Sequence, residues 1–265
     1  VKAYVGFAIL VGAAVVISSS SAEAADTRGF GEKSQLILSA DRLVPVFSYT
    51  SASSTTLGPN TIELTRSESG AGMSLLLGRN VGINETFMVN PHTIPRVAVD
   101  FTIIPRLTLG AALAFGFGLG GSTRDESVSP GNVVVARESD APTATVVGLA
   151  PRGGYILPLT NWIAFWPRAG VAFYSVSSDR DIIENNAVVG SRSDTDTHLS
   201  LDLDPQFVFV PVEHFFFHVG PLANIPLSGT RSQETTEGPR TDRRSNDISL
   251  FHFGITAGIG GWLSL

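Results

Sequence analysis

Residues 107–119 read LTLGAALAFGFGL, and the run steps in twos. Leu107, Leu109, Ala111, Leu113, Phe115, Phe117 and Leu119 alternate with Thr108, Gly110, Ala112, Ala114, Gly116 and Gly118. An extended chain points successive side chains to opposite faces, so this stretch makes a strand with one greasy face and one tiny or polar face. The pattern returns in THLSLDLDPQFVF, residues 197–209. There Leu199, Leu201, Leu203, Phe207 and Phe209 share one face, and His198, Ser200, Asp202, Asp204 and Gln206 share the other. Further copies run over 94–104, 143–157, 162–175, 215–228 and 249–265, making seven strong strands. None has the 3.6-residue period of a helix, and an all-β chain is expected.

Composition narrows the class. The chain has 265 residues, no Cys, 27 Gly and 16 Phe, and its charged fraction is 16%. An ordinary soluble domain carries about 25% charged residues. Lack of Cys excludes a disulfide scaffold, and the apolar content is too high for long disorder. With a net charge of -6, no basic surface is available for nucleic acid. After residue 18 no window holds the ~20 apolar residues of a membrane helix. At the start, Lys2 precedes an apolar run from Ala3 to Ile17, and Ala22-Glu23-Ala24 has the small-x-small form of a cleavage site. Residues 1–24 are therefore expected to be a cleaved signal peptide, 25–34 a short periplasmic lead, and 35–265 one domain.

Connections between the strands are sorted by length. Pro105-Arg106, Pro158 to Asn161 and Pro211 to His214 are tight, whereas 120–142, 178–195 and 229–247 are long, polar and charged. Short turns at one end and long polar loops at the other are the pattern of an antiparallel up-and-down transmembrane β-barrel. If the tight turns are periplasmic, the segment 249–265 runs downward and ends in the periplasm, and 94–104 also runs downward. An even strand count then needs one further membrane strand, or three, before 94–104. The candidates are 35–50, whose phase switches near Asp41-Arg42, and 62–78. Taking 35–50 as the first membrane strand and 62–78 as a hairpin arm above the membrane gives eight strands, with ten as the alternative.

Aromatics on the outward face sort by height. Phe101, Tyr155, Phe165, Phe207, Phe209, Phe215 and Phe217 fall near the tight turns, and Phe115, Phe117, Phe173, Phe251 and Phe253 fall higher. Phe165 and Phe173 share a strand and are separated by roughly 20 Å of height, close to the ~25 Å apolar band of a membrane barrel. Such belts mark the two interfaces. Near the end, Ile255, Ala257, Ile259, Leu263 and Leu265 alternate outward. A signal peptide, amphipathic strands and an outward hydrophobe at the last position together resemble small outer-membrane β-barrel proteins of Gram-negative bacteria. The resemblance is one of pattern and covers nearly all of the mature chain. It implies residence in the outer membrane, contact with lipid and lipopolysaccharide, insertion by the barrel assembly machinery through the C-terminal strand, and a monomer. Such proteins usually end in Phe, where this chain has Leu265.

The inward face carries charge. Pro95-Arg96, Pro151-Arg152 and Pro167-Arg168 put three Arg at inward positions, and Asp100, Asp202 and Asp204 face inward nearby. An isolated charge in a narrow lumen is costly, whereas paired Arg and Asp satisfy one another. Either a selective constriction or a structural plug follows, and the plug is preferred because eight strands leave an interior just wide enough for side chains. Gly110, Ala112, Gly116 and Gly118 are expected to make room for Trp166, Arg168 and Tyr174 across the lumen.

Motifs of chemistry are sparse. Gly116 to Gly121 satisfies G-x-G-x-x-G, yet no helix follows to hold a pyrophosphate. His214 and His218 would lie about 13 Å apart on a strand, so no metal site and no cofactor are expected. His198-Leu199-Ser200 is similar to the His-x-Ser element of the outer-membrane lipid A deacylases, which makes His198 and Ser200 the candidate catalytic pair. That resemblance implies a triad facing the outer leaflet, whereas both residues here have lumen parity. The expectation is a non-enzymatic barrel with a charge-plugged lumen and a structural, adhesive or limited solute-passage role. A lipid-modifying hydrolase and a soluble secreted β-sandwich are the alternatives.

Overall fold

A computed structural model describes residues 29–57, 63–73, 90–117, 121–129, 133–141, 143–184 and 187–265. The expected signal peptide, 1–24, lies outside the described residues, as do 118–120 of the glycine-rich run. Strands carry almost all of the remainder: β1 Gln35–Leu57, β2 Glu63–Met73, β3 Arg96–Ile104, β4 Leu107–Phe117, β5 Gly121–Ser129, β6 Val133–Ala141, β7 Thr143–Tyr155, β8 Leu157–Pro158, β9 Ile163–Glu184, β10 Ala187–Val212, β11 Phe215–Glu237 and β12 Arg240–Ser264.

Ten of these join one antiparallel sheet that closes on itself. β1 pairs β3, and the path then runs through β4, β7, β9, β10, β11 and β12 back to β1. The other two members are short additions. β2 pairs only residues 47–57 of β1, and β8 pairs two residues of β9. β5 and β6 form a separate hairpin. Following one rung around the ring shows the tilt. Ile37 of β1 faces Asp100, and the rung continues through Gly110, Arg152, Gly170, Asp202, Asn224 and His252 to Thr50, thirteen residues further along β1. A barrel needs such a stagger to close.

Alternation places the side chains as periodicity predicts. On β4, Leu109, Leu113 and Phe115 point outward and are more than half exposed, while Thr108, Ala112 and Ala114 are buried inside. On β10, Ser200, Asp202, Asp204 and Gln206 are buried. At the turn end, Pro105-Arg106 and Glu213-His214 close hairpins with Arg106 (φ 74°) and His214 (φ 66°) in the left-handed conformation that tight hairpin turns require.

Three sequence expectations need correction. The long polar connections are ladder rather than irregular loop: β9, β10, β11 and β12 run 22, 26, 23 and 25 residues and carry the hairpins through most of 178–195 and 229–247. A membrane strand needs only ~9–11 residues. Once both faces meet water the apolar alternation stops, so the pattern fades while the backbone pairing continues. Segment 120–142 likewise contains the β5–β6 hairpin. Second, the lead is no free tail. Phe30 packs inside the turn end against Trp166, Phe216 and Trp262 at centroid distances of 5.7, 5.1 and 5.2 Å. Backbone bonds from Ser34 N to Thr102 O and from Arg106 N to Gly31 O tie the segment to the β3–β4 turn. Third, room for the large inward side chains comes from glycines on adjacent strands. A Cβ on Gly148 would strike the Tyr174 ring, one on Gly154 would crowd Trp166 and Arg168, and one on Gly260 would strike Phe216.

Candidate functional site in the barrel lumen

Strand phase brings Arg96 (β3), Arg152 (β7) and Arg168 (β9) to the lumen with Asp100 (β3), Asp202 and Asp204 (β10). All six expected residues are buried and lie in one charged layer. A feature of β1 adds two more. Asp41 to Leu43 oppose Gly258 alone, and one further extra residue follows near Val46. Three extra residues flip the parity of the strand. Inward positions are odd below the bulge (Ile37, Ser39, Asp41) and even above it (Ser48, Thr50, Ala52). Arg42 takes a left-handed backbone, φ 60°, which lets consecutive residues Asp41 and Arg42 both enter the lumen.

Four Arg thus meet four Asp among the described residues. Arg152 holds Asp100 in a two-bond fork, Nε to Oδ1 at 3.0 Å and Nη2 to Oδ2 at 2.5 Å, and also donates to Asp41. Arg168 bridges Asp204 at 2.6 Å and Asp41 at 3.3 Å. Asp202 accepts from Arg96 at 2.7 Å and Arg42 at 3.3 Å, and from Asn224. Two further side chains complete the layer: Gln206 donates to Asp204, and His218 Nε2 lies 3.1 Å from Asp41. Guanidinium faces also stack, Arg168 over Trp166 at 4.7 Å and Arg96 over Tyr174 at 5.3 Å. Cation–π contact of this kind strengthens when desolvated. The Gly110 and Gly170 positions alternate with Asp100, Arg152 and Asp202 on the common rung; side chains there would collide with Asp100 and Arg152.

Packed side chains lie on both sides of the layer. Toward the turn end lie Phe30, Ile37, Ile156, Trp166, Val208, Phe216 and Trp262, all buried. Toward the hairpin end the segment before β3 turns inward as a single 3-10 turn, Pro91–Thr93, started by Asn90 accepting from His92 N. His92 is buried, stacks on His252 at 5.9 Å and meets Tyr174 edge-on at 5.2 Å. Its carbonyl accepts from Arg42 Nη1 at 2.5 Å. Asn90 donates to Thr50 at 2.8 Å.

Sequence reasoning missed Asp41, Arg42, His92, Asn224 and His218 as members of this layer. The phase switch at Asp41-Arg42 was the available signal, because adjacent opposite charges at a parity break fit a bulge. Nothing in the spacing around His92 marked an inward turn. The candidate catalytic pair fares differently. His198 and Ser200 are both buried in the lumen rather than facing lipid. His198 Nε2 and Ser200 Oγ have no hydrogen-bond partner, and both Asp202 oxygens are taken by Arg96, Arg42 and Asn224. A nucleophile requires a base in hydrogen-bond reach, and these two side chains make no such contact.

Neither a family model nor a curated protein matches the sequence. Several solved structures share the barrel shape. The outer membrane protein OprG from Pseudomonas aeruginosa is 12% identical, with a TM-score of 0.49, over 88% of this chain and 98% of that one. A major outer membrane protein from Thermus thermophilus is 11% identical, with a TM-score of 0.43, over 82% and 99%. The outer membrane protease OmpT from Escherichia coli is 9% identical, with a TM-score of 0.39, over 86% and 97%. Likeness at this level says nothing about a role.

Proposed function

We propose that this chain is a non-enzymatic outer-membrane β-barrel with eight wall strands and a lumen shut at rest, acting at the cell surface in a structural or adhesive role through its extended hairpins. The observation that carries this reading is the stack of three obstructions inside a closed ring: the aromatic cluster around Phe30, the Arg–Asp layer and the inward turn at Pro91–Thr93. The outward face supports the membrane setting. Val97, Leu109, Leu113, Val147, Leu149 and Phe173 stand exposed on the wall, an apolar surface that water would not tolerate and lipid covers. Lipid and lipopolysaccharide are its surroundings, and β12 is the strand offered to the assembly machinery; the protein works as a monomer.

Limited passage of small solutes is the second reading. The middle layer favours it, because ion pairs can exchange partners without leaving the lumen. A lipid A hydrolase is disfavoured by the buried positions of His198 and Ser200, and unchanged lipid A acylation after gene deletion would remove it. Membrane fractionation with heat-modifiable gel mobility tests the barrel itself. Protease added to intact cells should cut near the Gly238 hairpin tip and spare Pro105-Arg106 and Glu213-His214. Recovery in the soluble fraction, or cleavage at those turns alone, would overturn the assignment.

A further inference from the structure

We propose that the hairpin-side half of the charged layer is a binding site for a small oxyanion, a carboxylate or phosphate group, held by Arg96, Arg42, Tyr174 and Ser200. The inference goes beyond the closed-lumen reading and does not rest on it.

Acceptors are in short supply within the layer. Every oxygen of Asp41, Asp100, Asp202 and Asp204 already accepts from the protein or lies against a cationic partner. Donors remain. Arg96 Nε and Nη2, Arg42 Nε, Arg168 Nε, Tyr174 Oη and Ser200 Oγ are buried without a hydrogen-bond partner among the described residues, against a single amide oxygen, Asn224 Oδ1, left without a donor. A buried donor left unmatched forfeits its hydration without return, the more so when charged, so this set calls for an acceptor from outside the chain.

Geometry gives the acceptor a shape. The Nε and Nη2 edge of a guanidinium is a fork matched to two oxygens of one carboxylate or phosphate. Three Arg among the described residues use that edge: Arg152 on Asp100, Arg231 on Asp196 at 2.7 and 2.6 Å, and Arg243 on Glu234 at 3.0 and 3.3 Å. The same edge of Arg96 meets no acceptor, although its side chain is only 3% exposed. Charge agrees. Toward the hairpins two cations, Arg42 and Arg96, share the single carboxylate of Asp202, whereas toward the turns Arg152 and Arg168 face Asp41, Asp100 and Asp204. Counting Arg and Asp alone, the upper half has one more Arg than Asp, and the lower half one more Asp than Arg.

The donors also sit together. Arg96, Ala114, Gly148, Tyr174 and His198 occupy one rung of the ring, and Arg96 lies 5.3 Å from the Tyr174 ring. Ser200 stands on the same face of β10 between His198 and Asp202, the carboxylate that Arg96 grips. Ala98, Ala112 and Ala172 keep the level of Ser200 free of long side chains. A neutral sugar would leave the excess charge unanswered, and a metal cation would be repelled by it.

Titration calorimetry on the folded full-length protein in detergent micelles provides the test, with sodium acetate and sodium phosphate in separate runs at constant ionic strength. A saturable one-to-one heat with either anion supports the site, and which anion gives it identifies the group. Arg96→Lys keeps the charge but removes the fork, and should weaken binding by about tenfold or more. Ser200→Ala and Tyr174→Phe should each weaken it by about threefold to tenfold while leaving heat-modifiable mobility intact. No saturable heat with either anion, or affinity unchanged in both Arg96→Lys and Ser200→Ala, would overturn the proposal. The experiment does not depend on the lumen being shut. Steady current through the wild type would remove the closed-lumen reading and leave this site standing, whereas absent heat would remove the site alone.

Discussion

Two obstructions fill the same lumen by opposite physics. Around Phe30 the turn end is packed with rings and aliphatic chains held by close contact, with Trp166 Nε1 donating to Thr108 Oγ1 at 3.1 Å. A few rungs away, the Arg–Asp layer holds charges that would be ruinous alone and are tolerable only as pairs. Phe30 can be shaved and lose area in proportion. Arg152 cannot be removed without stranding Asp100 and taking one of the two Arg from Asp41. The aromatic end therefore sets how tightly the barrel is filled, while the ionic layer sets which residues must occur together.

The largest expected effect breaks the ionic side. Arg152→Ala should destabilise the folded barrel by about 3–5 kcal/mol, because it leaves buried carboxylates uncompensated. The double change Arg152→Ala with Asp100→Asn should recover a good part of that loss. Urea unfolding in detergent, followed by gel mobility, measures both; equal instability of single and double variants would show that the pair is not the unit. On the aromatic side Phe30→Ala should cost about 3 kcal/mol, and Phe30→Leu much less, with no second-site change needed for rescue. A rescue of Phe30→Ala by altering a charged residue would erase the contrast between the two layers.

A control on the outer wall follows in size. Leu113→Arg puts a charge on the outer face, which the proposed membrane setting turns to lipid, and should reduce stability by about 2–4 kcal/mol, read as loss of the heat-modifiable form in membranes. Normal assembly of that variant would mean the faces are reversed. Smaller still is Gly148→Ala, where the new methyl presses on Tyr174 and overpacking should cost about 1–3 kcal/mol.

Legibility in the sequence followed the same divide. Wall strands could be read wherever one face met an apolar surround and the other a small or polar interior, as in 107–119 and 199–209. Arg96, Arg152, Arg168, Asp100, Asp202 and Asp204 were found by parity alone, because a strand fixes the face of each residue. Past the wall the hairpins of β9 to β12 have water on both faces, so no period-two contrast marks 178–195 or 229–247 as strand. Asp41 and Arg42 were missed because a bulge breaks the parity rule at the place where it matters. Phe30 and His92 were missed because a lead and a turn acquire their lumen positions from tertiary packing, with no repeating pattern of their own.

Ion conductance in planar bilayers bears on the closed lumen without intermediary. With the Phe30 cluster and the Arg–Asp layer both in place, the wild type should show no steady current and at most rare openings. Phe30→Ala combined with Arg168→Ala thins both layers and should raise conductance well above either single change. Steady current through the wild-type protein would overturn the closed lumen and make solute passage its function.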